Sequence, residues 1–238
     1  VASIVAPLIG GKLVEIIGYV NTYFFIGAFM VVSGLYTIRF LKEKEETVVV
    51  EKQNNRSVGI REILAIPNLL NVFLIGFAVM YIRGVNSYVE KGLSTYNTGQ
   101  LFSYMGIGTF LTLSLFFINR FNPLLRLMVG LFGMTLTLVA LFSSSLQLAL
   151  LLFLTGIFFG LIMPAMATAI TEYANRRVHG RAFGLMSAIY SLGIIASSFI
   201  TGVVRDVISP YFIAYLVGMV VLTLVGYSKL RTPQMTTQ

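Results

Sequence analysis

The chain has 238 residues, 57% of them hydrophobic and only 11% charged, with a net charge of +8. Soluble domains average about 25% charged residues, so the composition points to a membrane and away from soluble enzymes and soluble binding modules. The absence of cysteine excludes disulfides, thiol catalysis and cysteine-ligated metals.

Val1 begins inside an apolar run, with no charged leader and no cleavage site before it, so the chain reads as a piece of a longer protein. A helix crossing a bilayer needs about 20 mostly apolar residues. Eight runs qualify: 1–17, 21–41, 67–88, 98–118, 124–143, 146–171, 182–204 and 210–228. The polar stretch 42–66 (KEKEETVVVEKQNNRSVGIREILAI) is the one candidate linker, and it separates a pair of helices from a set of six. The other connections are short, as in antiparallel helical bundles. No run alternates with period two, which argues against a membrane β-barrel.

Lys and Arg set the orientation. With 42–66 in the cytoplasm, thirteen of the 17 basic residues fall on that side, including Arg39, Arg56, Arg120, Arg126, Arg176, Arg177, Arg181 and Arg231. Lys12, Arg83, Lys91 and Arg205 fall on the other. The C-terminus is then cytoplasmic. The glycosylation pattern at Asn55-Arg56-Ser57 is expected to stay unmodified there. Basic clusters between apolar runs are a topology signal, so nucleic acid is not an expected partner.

The opening run, ASIVAPLIGGKLVE, carries a proline and paired glycines inside apolar sequence. On a helix Ala2, Ala6 and Gly10 share one face, and Ser3, Pro7 and Gly11 the adjoining one. Small residues at this spacing let helix backbones approach closely in lipid, and a proline kink is tolerated where neighbours re-satisfy the freed carbonyl. The stretch is expected to form a tight, kinked helix seam. Shifted by 191 residues, GIIASSFITGVVRD (193–206) lies under it: Gly193, Ser197 and Thr201 under Ala2, Ala6 and Gly10, and Ser198 and Gly202 under Pro7 and Gly11. The following helices correspond loosely, TYFFIG with PYFIAYLVG. This predicts two homologous six-helix halves, a transporter signature.

These features resemble the major facilitator superfamily, in its drug:proton antiporter or multidrug efflux type. APLIGG is similar to the antiporter motif of the fifth helix, with Pro7, Gly10 and Gly11 matching and Ala6 in place of the usual glycine. NRRVHGRAFGLMSAIYSLG (175–193) resembles the Arg-rich turn and eleventh helix, through Arg177, Gly180, Arg181 and Gly184. FINRFNPLLR (117–126) sits where the family repeats its Asp-Arg-x-Gly-Arg gating loop. There Arg120 matches, while Asn119 replaces the Asp and Asn122 the Gly, which leaves a charge relay in doubt. The resemblance covers the whole chain as helices five to twelve of twelve. It implies an all-α, polytopic helical bundle, with 1–41 closing the N-terminal half, 42–66 as cytoplasmic linker and 67–238 as the C-terminal half.

Arg83 lies deep in its run. An ion at mid-bilayer costs roughly 2.5–3.5 kcal/mol on insertion scales, so it either snorkels to the outer headgroups or faces a cavity. Gly84 and Asn86 suggest a broken helix beside it. The resemblance makes Arg83, Asn86, Tyr104, Met163 and Tyr190 candidates for the substrate cavity, with ordinary packing as the alternative for the aromatic residues and the methionine. Gly156, Gly160 and Pro164 mark a second close-packed, kinked helix. At its end Glu172 is either a solvated residue paired with Arg176 or part of a cytoplasmic gate with Arg177, Arg181 and Arg120. His179, the single histidine, reads as a surface residue. IGGK lacks the Ser/Thr and upstream Gly of a phosphate loop. With one histidine and few carboxylates no catalytic constellation forms, and neither cofactor nor metal is expected.

The activity implied is alternating-access transport in the cell membrane, most specifically proton-coupled efflux of drugs or amphipathic molecules. The expected partners are a small-molecule substrate, protons and the lipid bilayer, with the full-length protein a monomer. An uptake permease for a polar solute is the alternative, and a non-transporting scaffold or receptor a third reading.

Overall fold

All eight apolar runs are helical in the computed structural model, the first two within one stretch; the structure describes residues 2–40, 59–86, 95–143 and 147–231. The helices are α1 (Ala2–Phe40), α2 (Ile60–Leu64), α3 (Pro67–Asn86), α4 (Thr95–Ser114), α5 (Pro123–Phe142), α6 (Leu148–Tyr173), α7 (His179–Val204) and α8 (Pro210–Arg231). Short 3-10 turns at Phe116–Arg120 and Arg176–Val178 precede α5 and α7. The described residues contain no strand. Most of the expected linker, 42–58 of 42–66, lies outside the described residues. Its last part forms α2, against α3 and α7.

Proline and asparagine set several helix starts. Pro67, Pro123 and Pro210 each occupy a first helical residue, where the missing N–H costs nothing and φ is already helical. Asn122 caps α5, its side chain accepting from the Leu124 N–H at 2.9 Å. The residue that departs from the family's gating loop thus does a helix cap's work.

The first two runs form one helical stretch interrupted at a single residue. Gly18 has φ 78° and ψ 166°, a region only glycine occupies without strain. A continuous 39-residue helix would span nearly twice the ~30 Å hydrocarbon core. The break divides it into lengths of bilayer scale. The first half packs on α4, whereas in the second Thr22 is the one buried residue.

The bundle is ordered by pairwise contacts: α1 on α4, α4 on α6, α6 on α5, α5 on α8, and α3 between α8 and α7. α3 also touches α5 and α6, which makes it the central helix. α5 shows why the surroundings must be lipid. Leu127, Leu131, Met134 and Leu138 form a fully buried stripe. Leu125, Val129, Phe132 and Leu136, at the same spacing on another face, are each about half exposed. A helix apolar on both its inner and outer faces is stable only against an apolar solvent. Six helices are long and apolar enough to span a membrane among the described residues, the first counted across its kink. α4 falls short because Thr95, Asn97, Thr98 and Gln100 open it. Lying between α1 and α6, it is placed to use its polar groups against protein.

Candidate functional site: a pocket beside two close-packed helix seams

Pro7 lacks an N–H, so the Ser3 carbonyl loses its intrahelical partner. Next to it, the Ile4 carbonyl accepts a hydrogen bond from Ser103 Oγ of α4 at 2.7 Å. The helices come this close because Gly99 has no side chain. A Cβ there would overlap the Pro7 carbonyl oxygen and lie 3.5 Å from Gly11 Cα. The opening run is therefore one wall of a backbone-to-backbone seam, as small residues permit in lipid. Of the two expected faces, Pro7 and Gly11 meet α4. Ala6 is exposed, and the Cβ position of Gly10 has open space around it.

The sequence copy of this stripe uses the opposite face. On α7, Gly193, Ser197 and Thr201 are buried, with Gly193 against the Phe77 carbonyl and Ser197 against Gly84 of α3. Ser198 is exposed and Gly202 has open space. The face packed in one copy is thus the face left open in the other.

α4 makes a second seam with α6. A Cβ at Gly156 would overlap the Met105 carbonyl, and one at Gly108 the Phe153 carbonyl. Gly160 lies against Thr109 and Thr112. Thr109 Oγ1 is 3.1 Å from the Gly156 carbonyl and 3.0 Å from that of Met105 in its own helix.

Between these seams lies a pocket of about 270 Å³, lined by Ala6 and Pro7 of α1, Arg83 of α3, Phe102, Met105, Gly106 and Thr109 of α4, and Phe159 of α6. Its volume is near the lower end of small-molecule sites, roughly 300–1,000 Å³. The Arg83 guanidinium carbon stands 4.8 Å from the centre of the Phe159 ring, a cation–π geometry. One cation, two aromatic rings and a thioether meet in one space. Such a lining suits a molecule with an apolar body and one polar or charged group.

The other cavity candidates lie elsewhere. Asn86 is buried at the end of α3, with neither amide atom bonded among the described residues. Tyr104 is 46% exposed, next in sequence to pocket residues but directed away from them. Met163 packs against the core. Tyr190 donates its hydroxyl proton to Met166 Sδ at 2.7 Å, on α7 beside Gly76. The gate candidates gather near the α6–α7 turn, apart from Arg120 in the turn before α5. Arg120, Glu172 and Arg181 are exposed. Arg177 lies in the second 3-10 turn, with its side chain outside the described set. Glu172 and Arg176 form no ion pair among the described residues. His179 Nε2 is 2.8 Å from the Ala174 carbonyl, bridging the end of α6 to the start of α7.

Sequence reasoning missed Gly99, Phe102, Ser103, Thr109 and Phe159. Gly99, Ser103 and Gly106 do fall at helical spacing, the same signal that marked the opening run. Phe102 and Phe159 carry no such signal, since aromatic residues are common throughout the chain.

The sequence model of the Major Facilitator Superfamily matches residues 1–198 and 117–237. The chain is 23% identical over 227 residues to a multi-drug resistance efflux pump PmrA homolog of Lactococcus lactis subsp. lactis, covering 87% of this chain and 55% of that protein. It is 23% identical over 240 residues to the multidrug resistance protein MdtG of a Rahnella species, covering 95% and 58%. It is 24% identical over 210 residues to the multi-drug resistance efflux pump PmrA of Streptococcus pneumoniae, covering 80% and 51%. The chain thus spans about half the length of the curated relatives it matches.

Proposed function

The chain belongs to the Major Facilitator Superfamily, and we propose that it forms the larger part of an alternating-access transporter exporting amphipathic small molecules in exchange for protons. The observation that carries this reading is the placing of the Arg83–Phe159 pocket against the Pro7–Gly99 seam. A substrate in that pocket touches the kinked helix directly. Movement of α1 against α4 would then change the pocket's shape and its access.

The open faces of the two stripes extend the reading. Gly10 on α1 and Ser198 with Gly202 on α7 are small, apolar surroundings without a packed neighbour. In a full-length relative they would receive two further helices. The six helices from residue 67 onward act as one half, and residues 1–41 complete the other. The linker and the Arg-rich turn face the cytoplasm, the C-terminus does too, and one polypeptide is the working unit. Proton coupling and efflux rest on the antiporter-like APLIGG run and on relatives named as multidrug pumps.

A polar-solute permease is the second reading, favoured by the Arg83 charge at the pocket wall. Cells expressing the full-length protein, loaded with a cationic dye and energised, separate the two. Protonophore-sensitive dye loss above empty-vector cells supports efflux. No dye loss, with protonophore-sensitive uptake of a polar solute, would transfer the assignment to the permease.

A further inference from the structure

A hydroxyl group has one proton to donate. Ser103 Oγ lies 2.7 Å from the Ile4 carbonyl on α1 and 2.9 Å from the Gly99 carbonyl four residues back on its own helix. Thr109 Oγ1 repeats the arrangement towards α6, 3.1 Å from Gly156 and 3.0 Å from Met105 four residues back. Thr22, Thr112, Ser187 and Ser191 bond only back along their own helices. So α4 carries, on its two sides, hydroxyls that each have one acceptor within the helix and one across a seam.

We propose that Ser103 and Thr109 are positioning residues of the transport cycle, each hydroxyl proton exchanging between a cross-helix and an own-helix carbonyl as α4 parts from α1 or from α6. In lipid a donor left bare is costly, because no water replaces the lost partner. Here neither donor is ever bare. With the seam closed, Ser103 holds the Ile4 carbonyl beside Pro7. With the seam open, its O–H turns about the Cβ–Oγ bond to the Gly99 carbonyl, already 2.9 Å away. The glycines at both seams keep the contact surface smooth, so the hydroxyls supply the specific registration that the backbones alone lack.

This inference rests on the transporter reading, and the test separates the two. In the full-length protein, spin labels at Ile9→Cys and Leu111→Cys, both exposed positions on α1 and α4, report the seam distance independently of transport. The expectation is two distance populations in wild type. Ser103→Ala shifts their ratio towards the parted state by about 3- to 20-fold, the size of an interhelical hydrogen bond in a membrane. It alters kcat for transport while leaving KM within about twofold. Ser103→Thr, which keeps the hydroxyl, restores both. Thr109→Val, a near-isosteric loss of the hydroxyl, alters kcat in the same way; its KM is left out of the comparison because Thr109 also lines the pocket.

A single distance population in wild type would overturn the proposal. So would an unchanged population ratio in folded Ser103→Ala, or an unchanged kcat in folded Ser103→Ala and Thr109→Val proteins. Two populations that respond to Ser103→Ala in a protein that moves no dye would uphold the exchange and instead remove the efflux reading.

Discussion

The Arg83 guanidinium lies over the Phe159 ring at 4.8 Å and so ties the last turn of α3 to the middle of α6. Both residues line the same pocket, so the ring holds the charge at the wall. A cation–π contact of this kind contributes about 0.5–2 kcal/mol. Phe159→Leu is therefore expected to raise the transport KM for a substrate that engages Arg83 by roughly 2- to 30-fold. Arg83→Gln should do the same for an anionic amphiphile and much less for a cationic one. Equal changes for both substrate classes would mean that Arg83 does not read substrate charge. Transport assays of paired anionic and cationic dyes in vesicles carry the measurement.

Gly99 and Gly10 make a matched pair for the seam. A Cβ at Gly99 meets the Pro7 backbone, which cannot swing aside, whereas a Cβ at Gly10 meets nothing within 4 Å. Overpacking of this kind costs about 1–3 kcal/mol. Replacing a mid-helix glycine by alanine in open space gains roughly 0.5–1 kcal/mol. In the 238-residue chain in detergent, Gly99→Ala should lower the melting temperature and Gly10→Ala should leave it unchanged or raise it. In the full-length protein Gly10→Leu should become damaging, because a helix then covers that face. Tolerance of Gly10→Leu in the full-length protein would contradict the two-half assembly.

Gly18 tests the backbone alone. Its φ of 78° has no steric neighbour to confuse the result, since nothing lies within 4 Å of its Cβ position. Non-glycine residues in such conformations cost about 1–3 kcal/mol. Gly18→Ala should lower stability by that order, or straighten α1 with a gain in helical circular dichroism. Gly27→Ala, equally unencumbered but with no unusual φ, should do neither.

The helices were readable from the sequence because their signal is local. Twenty apolar residues must become a helix in lipid whatever surrounds them. Pro7 and Gly11 were readable for the same reason, as a small-residue stripe needs no knowledge of its partner. The partner itself was not. Gly99 and Ser103 lie in the run 98–118, which the sequence marks as a span without saying which helix it packs on, and only the fold brings Ser103 to the carbonyl of Ile4. The face chosen by each copy of the stripe was equally hidden. Ala6 and Pro7 are both small enough to pack, and which one does depends on where α4 lies. Tyr104 shows the converse failure: next in sequence to Met105, it is turned by about 100° from it around the helix and is not among the residues lining the pocket.

Arg126 is a residue that the sequence presents only as one more positive charge near a helix end. In the structure its side chain is 4% exposed, and Nε is buried without a hydrogen-bond partner among the described residues. Gly130 and Gly133, at one and two turns along α5, face Ile162 and Phe158 of α6, so Arg126 continues the α5–α6 seam. It also sits in the first turn of α5, where the helix dipole disfavours a cation. Burial without a partner and position both oppose the charge. An unpaired buried charge pays a desolvation cost that an apolar side chain of similar volume does not. Arg126→Met should accordingly keep or raise the melting temperature of the chain in detergent. Arg126→Ala should lower it, because it removes the stem that fills the seam as well as the charge. If Arg126→Met melted lower than wild type by as much as Arg126→Ala, the guanidinium would have a stabilising partner and the buried-charge reading would be overturned.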